Sequence, residues 1–191
     1  MEKNQITIDK DGSLMTFITE THEDYIVLVR YITDNLSTVW IPDDIGGIPV
    51  REIGYDCFFN HREITEIVFS ENLRTIGDQA FALCKGIKEL YLPDGISEIG
   101  CYAFRDCTGL KKIVLPASLE VLKTGVFAFS YLPDDVDITL NEGLETIQSK
   151  VFSSGGLNLF FTVKIPSSVK ECAPDAFEPG ITIIPAKGST L

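Results

Sequence analysis

Short runs of alternating apolar and polar residues recur along the chain. ITEIVF (64–69), IKELYLP (87–93), LKKIVLP (110–116), VDITL (136–140) and TVKIP (162–166) each place apolar side chains at alternate positions. A period of two predicts a short strand with one buried face. In LKKIVLP it turns Ile113 and Leu115 inward and Val114 outward. The proline that often closes the run cannot donate to a ladder, so it ends the strand.

Between these runs lies a second phrase: IGYDCFFNH from Ile53, IGDQAFALC from Ile76, IGCYAFRDC from Ile99, LKTGVFAFS from Leu122, IQSKVFSSG from Ile147 and CAPDAFEPG from Cys172. Its phenylalanines, Phe58, Phe81, Phe104, Phe127, Phe152 and Phe177, are spaced by 23, 23, 23, 25 and 25 residues. Such self-similarity marks a repeat architecture. The Ala–Phe pairing within the phrase predicts one or two helical turns packed by the Phe. A third phrase, seen as NLRTIG, GISEIG, SLEVLK and GLETIQ, carries the chain round to the next copy.

One strand and one short helix per repeat cannot bury both apolar faces alone, whereas stacked units can. Each strand is then expected to pair in parallel with the next, about 4.8 Å away, and the phenylalanines to pile into one column, forming an α/β solenoid. In that stack Cys84 lies over Cys107, with His61 and Ser130 at the flanking equivalents. Small apolar thiols suit a buried inner turn, and core packing outweighs metal ligation or a redox role.

The pattern I-G-x-x-A-F-x-x-C-x-x-L-x-x-I-x-L-P, over roughly residues 39 to 185, resembles the BspA-like leucine-rich repeat family. The resemblance implies a right-handed curved solenoid with a parallel sheet of short strands on the concave side and short helical turns opposite. It also implies non-enzymatic binding of proteins or other macromolecules, commonly at a cell surface. Repeats four and five depart from the pattern, being 25 residues long and weaker at the Ala and Cys positions, which predicts altered curvature there.

A solenoid needs covered ends. Residues 1–42 read as a β-rich N-terminal cap merging into the first sheet strand. QITI, SLMTFI and DYIVLVRYI predict strands, Asp11-Gly12 predicts a hairpin turn, and TVWIP (38–42) aligns with KIVLP. Asp11-Gly12 lies in DKDGS, which lacks the downstream acidic ligands of a calcium loop and is read as a turn. Residues 43–175 hold the repeats. Residues 176–191 form a truncated final repeat and C-terminal cap, whose ITIIP strand has no assignable register. The whole is one continuous domain.

Composition narrows the functional classes. The 191 residues are 45% hydrophobic and 23% charged, ordinary for a globular chain. Twenty-eight acids against 16 Lys and Arg give a net charge of -12, which argues against nucleic acid and against docking on anionic lipid. The N-terminus reads as neither an export signal nor a membrane span, so the chain as written is expected to be cytoplasmic, with a surface or secreted location if a signal was removed. Five cysteines, an odd number without CxxC spacing, predict reduced thiols.

Neither His22, in the polar turn THED, nor His61 sits in a nucleophile or metal motif. Pro42-Asp43-Asp44 and Pro133-Asp134-Asp135 read as solvated loops. No enzyme, cofactor or metal site is expected.

The candidate surface is the outward face of the strands. Across the repeats one column reads Trp40, Val68, Tyr91, Val114, Thr139 and Lys164, and its neighbour Glu66, Glu89, Lys112, Asp137 and Thr162. An aromatic and aliphatic stripe flanked by charge suits a protein partner, because Trp and Tyr dominate interface hot spots. The same residues also suit plain sheet packing, and the two readings stand even. A scaffold gripping another protein and an adhesin module binding host or matrix macromolecules are the two functional classes.

Overall fold

The structure, a computed structural model, describes residues 3–33 and 35–187, so the last four residues of the expected C-terminal cap lie outside the described residues. The chain opens with β1 (Lys3–Lys10), β2 (Ser13–Thr21) and β3 (Ile26–Tyr31), followed by β4 (Thr38–Trp40), β5 (Asp44–Ile45) and β6 (Ile48–Ile53). It then runs through β7 (Glu66–Val68), β8 (Thr75–Ile76), β9 (Glu89–Tyr91), β10 (Glu98–Ile99), β11 (Lys112–Val114) and β12 (Val121–Leu122). The last are β13 (Asp137–Thr139), β14 (Thr146–Ile147), β15 (Thr162–Ile165), β16 (Glu171–Cys172) and β17 (Thr182–Pro185). The fold is a β-solenoid with two parallel columns of strands. The first column carries the alternating runs; the second is made by the third phrase, whose strand character the sequence reading missed.

Among the described residues there is no helix, which corrects the expected helical turns. The cause lies in the backbone. Asp56, Gln79, Tyr102, Gly125 and Lys150 all have positive φ, and so do Asn60, Leu83, Asp106 and Phe129 four residues later in each coil. An L-residue in that left-handed region ends a right-handed helix. Alternate amides therefore split their duties. Cys57 N–H and Phe59 N–H close tight turns onto Gly54 O and Asp56 O, while Phe58 N–H and Asn60 N–H reach along the stack to Ala80 O and Ala82 O, both at 2.8 Å. The same pattern recurs at Phe81 to Ala103 O (2.8 Å), Phe104 to Val126 O (2.9 Å) and Phe127 to Val151 O (3.0 Å). Each turn segment is thus a third inter-coil ladder, and each bond stabilises by about 0.5–1.5 kcal/mol.

Packing follows the repeat. Phe58, Phe81, Phe104, Phe127, Phe152 and Phe177 stack in sequence with ring centroids 4.8, 5.3, 5.8, 5.5 and 5.5 Å apart and planes within 17° of parallel. Such spacings are those of offset stacking, which avoids face-to-face quadrupole repulsion. Cys84 Sγ–H donates to Phe58 O at 3.0 Å and Cys107 Sγ–H to Phe81 O at 3.2 Å. Ser130 Oγ–H repeats the bond to Phe104 O at 3.0 Å. The thiol column therefore does more than fill space, since it satisfies a buried carbonyl in the preceding coil. All five cysteines are free. His61, at the head of this column, is half-buried and bonded through Nδ1 to Glu63 at 2.7 Å.

Two departures from even stacking appear. In the first column β4–β7, β9–β11–β13 and β15–β17 form separate ladders, so the expected continuous sheet is interrupted after β7 and after β13. In the second column the break falls between β10 and β12. There the glycine of the first coils gives way to Lys123. A Cβ on Gly100 would lie 2.3 Å from Asp78 N, so coils carrying glycine approach more closely than a side chain permits. The truncated last repeat supplies β17, which pairs in parallel with β15 through Val163↔Ile183 and resolves the unassigned register.

At the N-terminal end β1 and β2 form an antiparallel hairpin through Asp11 and Gly12, both at positive φ. β3 pairs antiparallel with β2 and parallel with β6, joining this hairpin to the second column. Phe17 and Tyr31 lie 6.2 and 5.0 Å from Phe58, prolonging the aromatic stack.

Candidate functional site

Alternation within the first strand column decides which side chains face solvent. Val39, Leu90, Ile113 and Val163 are buried, while Ile67 and Ile138, the equivalents beside the two breaks, are only half-buried. Parallel register brings the predicted outward residues together in groups. Trp40 lies beside Val68 and Thr38 beside Glu66. Tyr91, Val114 and Thr139 line up across three strands, as do Glu89, Lys112 and Asp137. Lys164 pairs instead with Ile184 of the final strand.

Exposure separates these residues. Val68 is 41% exposed and Tyr91 51%, large values for apolar side chains. Glu66, Glu89, Thr139 and Lys164 are exposed, whereas Val114, Lys112 and Trp40 are half-buried. Trp40 packs against the core, and its backbone N–H points to Met15 Sδ at 3.4 Å, so part of this side chain belongs to the fold rather than to a surface stripe.

Tyr91 is held from one side. Lys112 Nζ sits 5.4 Å from its ring centroid and 3.5 Å from Asp137 Oδ2. A hydrogen bond to Tyr91 first, and Asp137 next, hold the Lys112 ammonium above the ordinary lysine value. Glu66 accepts Thr38 Oγ1–H at 3.1 Å. The break after β7 opens a cavity of about 250 Å³ between Ile67 and Tyr91, rimmed by Glu66, Lys88 and Glu89. The break after β13 opens one of about 300 Å³ beside Ile138 and Lys164. The face thus offers an exposed aromatic ring, an exposed valine and mixed charge around shallow recesses. That arrangement suits contact with a macromolecule.

A cavity of about 520 Å³, roomier than either recess, lies elsewhere, between the N-terminal strands and the first turn segment. Lys3, Arg30, Tyr55, Asp56 and Phe59 contribute to its walls, and none was singled out in the sequence. The signal was present. Tyr55 and Phe59, 63% and 44% exposed, occupy positions where later coils carry Asp78 and Cys101, or Ala82 and Arg105.

Among the described residues no group of three or more His, Cys, Asp or Glu is placed to hold a metal, and no helix is long and apolar enough to cross a membrane. Burial pushes the Cys84 thiol up to about 12 and the Cys107 thiol well above its ordinary value, so neither is a nucleophile at neutral pH.

Comparison with known proteins agrees with the architecture. A family model described as BspA type leucine-rich repeat region matches residues 51–183 in six copies. A leucine-rich repeat protein of T. pallidum superposes with a TM-score of 0.68 at 25% identity, covering 88% of this chain and 83% of that one. A leucine-rich repeat protein of Eubacterium ventriosum gives 0.67 at 18% identity, over 93% of this chain and 50% of the other. A leucine-rich cell surface protein of Faecalibacterium prausnitzii gives 0.59 at 21% identity, over 93% and 54%. The chain therefore spans about half the length of these last two. Comparison with curated protein sequences finds no match.

Proposed function

Because the chain belongs to the BspA-type leucine-rich repeat family, we propose that it is a non-enzymatic binding module that grips a protein partner through the outward face of its first strand column. The observation that carries this reading is the exposed pair Val68 and Tyr91, borne on strands that flank a recess. Burying a fixed tyrosine ring loses little side-chain entropy, which is why such residues dominate interfaces. Lys112 holds the ring in place before any partner arrives. The reading treats Val68, Tyr91, Glu66 and Glu89 as the contact set, with Lys112 and Val114 as support and Thr139 and Lys164 at the far margin.

A surface location accompanies the second form of the proposal, an adhesin module binding host or matrix macromolecules. The cell surface description of the Faecalibacterium prausnitzii relative favours it. In both forms the chain needs no cofactor.

The test is a quantitative capture experiment with wild type, Tyr91→Ala and Val68→Ala. A true partner should lose about 2 kcal/mol or more of affinity with Tyr91→Ala, while the thermal melt stays in place. Undiminished binding by both variants sinks the assignment of this face.

A further inference from the structure

We infer that the cavity between the N-terminal strands and the first turn segment is a saccharide-binding site. It shares no lining residue with the strand recesses described above.

The argument starts from the repeat itself. In later coils three carbonyls of each turn segment accept amide hydrogens from the coil before: Asp78 O, Ala80 O and Ala82 O take Asp56, Phe58 and Asn60 N–H at 3.2, 2.8 and 2.8 Å. Cys101, Ala103 and Arg105 do the same for Gln79, Phe81 and Leu83. The first segment has no coil before it. Its middle carbonyl, Cys57 O, takes Tyr31 N–H at 2.9 Å. Among the described residues no donor reaches Tyr55 O or Phe59 O. Asp56 Oδ1 is buried without a partner there, while the Tyr55 hydroxyl lies against the Asp56 carboxylate, which raises the tyrosine's pKa. The turn-segment wall therefore carries two carbonyls and a carboxylate oxygen with no protein donor among the described residues.

The other wall is opposite in kind. β1 contributes Lys3, whose ammonium lies 3.3 Å from Glu20 Oε1, and β3 contributes Arg30; both are donors only. Exposed rings complete the site, Tyr55 and Phe59, with the Tyr55 hydroxyl fixed by Gln79 Nε2–H at 3.1 Å.

These walls discriminate among ligands. A simple cation meets the Arg30 guanidinium, and a simple anion meets the Asp56 carboxylate and two carbonyls. An extended peptide needs three acceptors in a row, but Tyr31 already holds the central one. An apolar molecule would leave the polar groups unpaired. A sugar ring satisfies all of them: its hydroxyls both donate and accept, and its C–H face lies flat on an aromatic ring. The cavity volume falls within the ordinary range for small-ligand sites, with room for one or two sugar rings.

The experiment titrates ¹⁵N-labelled protein with N,N′-diacetylchitobiose, a neutral probe, and N-acetylneuraminic acid, which carries a carboxylate. Saturable shifts are expected at the amides of Arg30, Tyr55, Asp56 and Phe59. Tyr55→Ala and Phe59→Ala, both at exposed rings, should each weaken binding about tenfold. Arg30→Ala should weaken the acidic sugar more than the neutral one, and Tyr91→Ala should change nothing. No saturable shift with either sugar up to about 10 mM overturns the proposal. So does binding that survives both ring variants, or saturation of the same amides by the tripeptide Gly-Lys-Gly when the sugars leave them unmoved.

Discussion

Phe104 lies between two rings of its own kind, 5.3 Å from Phe81 and 5.8 Å from Phe127, and is fully buried. Truncating it removes both contacts and leaves a void shared by three coils. Phe104→Ala is expected to cost roughly 3–5 kcal/mol, read from the denaturant midpoint. Tyr91→Ala, whose ring faces solvent, should cost under about 1 kcal/mol in the same assay. Equal losses at the two positions would show that the division between spine and surface is wrong. The thiols give an independent check. Cys57, Cys84 and Cys107 are buried, with desolvation raising each pKa, whereas Cys101 is half-exposed. A thiol reagent at pH 8 should label Cys101 and the likewise half-exposed Cys172 in the native protein, and reach the three buried thiols only after unfolding. The sequence revealed these columns because a 23-residue period puts like residues over like. It did not reveal that a Cys column also donates to Phe carbonyls, since Ser130 reads as a mismatch until its hydroxyl is seen making the same bond.

At the scale of elements, the turn segment is where reading and structure part. Ala beside Phe favours a helix locally, but the backbone bonds at Phe58, Phe81 and Phe104 run between coils. A helix would turn those amides inward and remove this third ladder between coils. Tertiary pairing outweighs propensity here, at the cost of left-handed residues such as Gln79 and Leu83. The close approach this demands explains Gly100, whose added Cβ would meet backbone and side-chain atoms of Asp78 at 2.3 and 2.4 Å. Gly100→Ala should destabilise by roughly 1–3 kcal/mol through steric conflict, measured by thermal unfolding. An unchanged melting temperature would mean that the coils part more easily than their contacts indicate. The candidate strand face was legible to the residue in its register. Its exposure was not: Trp40 alternates outward like Tyr91, yet it is half-buried against the core.

Across the whole molecule, the C-terminal coils are fastened differently from the first ones. Glu142 accepts Ser167 N–H, Ser167 Oγ–H and Ser168 N–H, each at 3.0 Å. Glu178 accepts Ser153 Oγ–H, Ser154 N–H and Gly155 N–H. These bonds, led by Ser167 N–H at Glu142 and by Ser153 Oγ–H at Glu178, hold both carboxyls below the ordinary carboxylate value. A depressed folded pKa contributes stability that is present above the unfolded value and lost as pH falls through the folded one. On acidification, hydrogen exchange should therefore rise at residues 153–156 and 167–168 before it rises around Phe81 and Phe104. Glu142→Gln should weaken that acid dependence at 167–168. Uniform loss of protection along the stack would contradict this. The sequence alone determined the solenoid, the phenylalanine spine and the residues of the first strand column, because each follows from a period repeated in register. Only the tertiary structure decided the absence of helix among the described residues, the second strand column, the breaks between coils and the cavity beside Tyr55. Each of these depends on how one coil's backbone meets its neighbour, or on the first turn segment meeting the N-terminal strands instead of another turn segment.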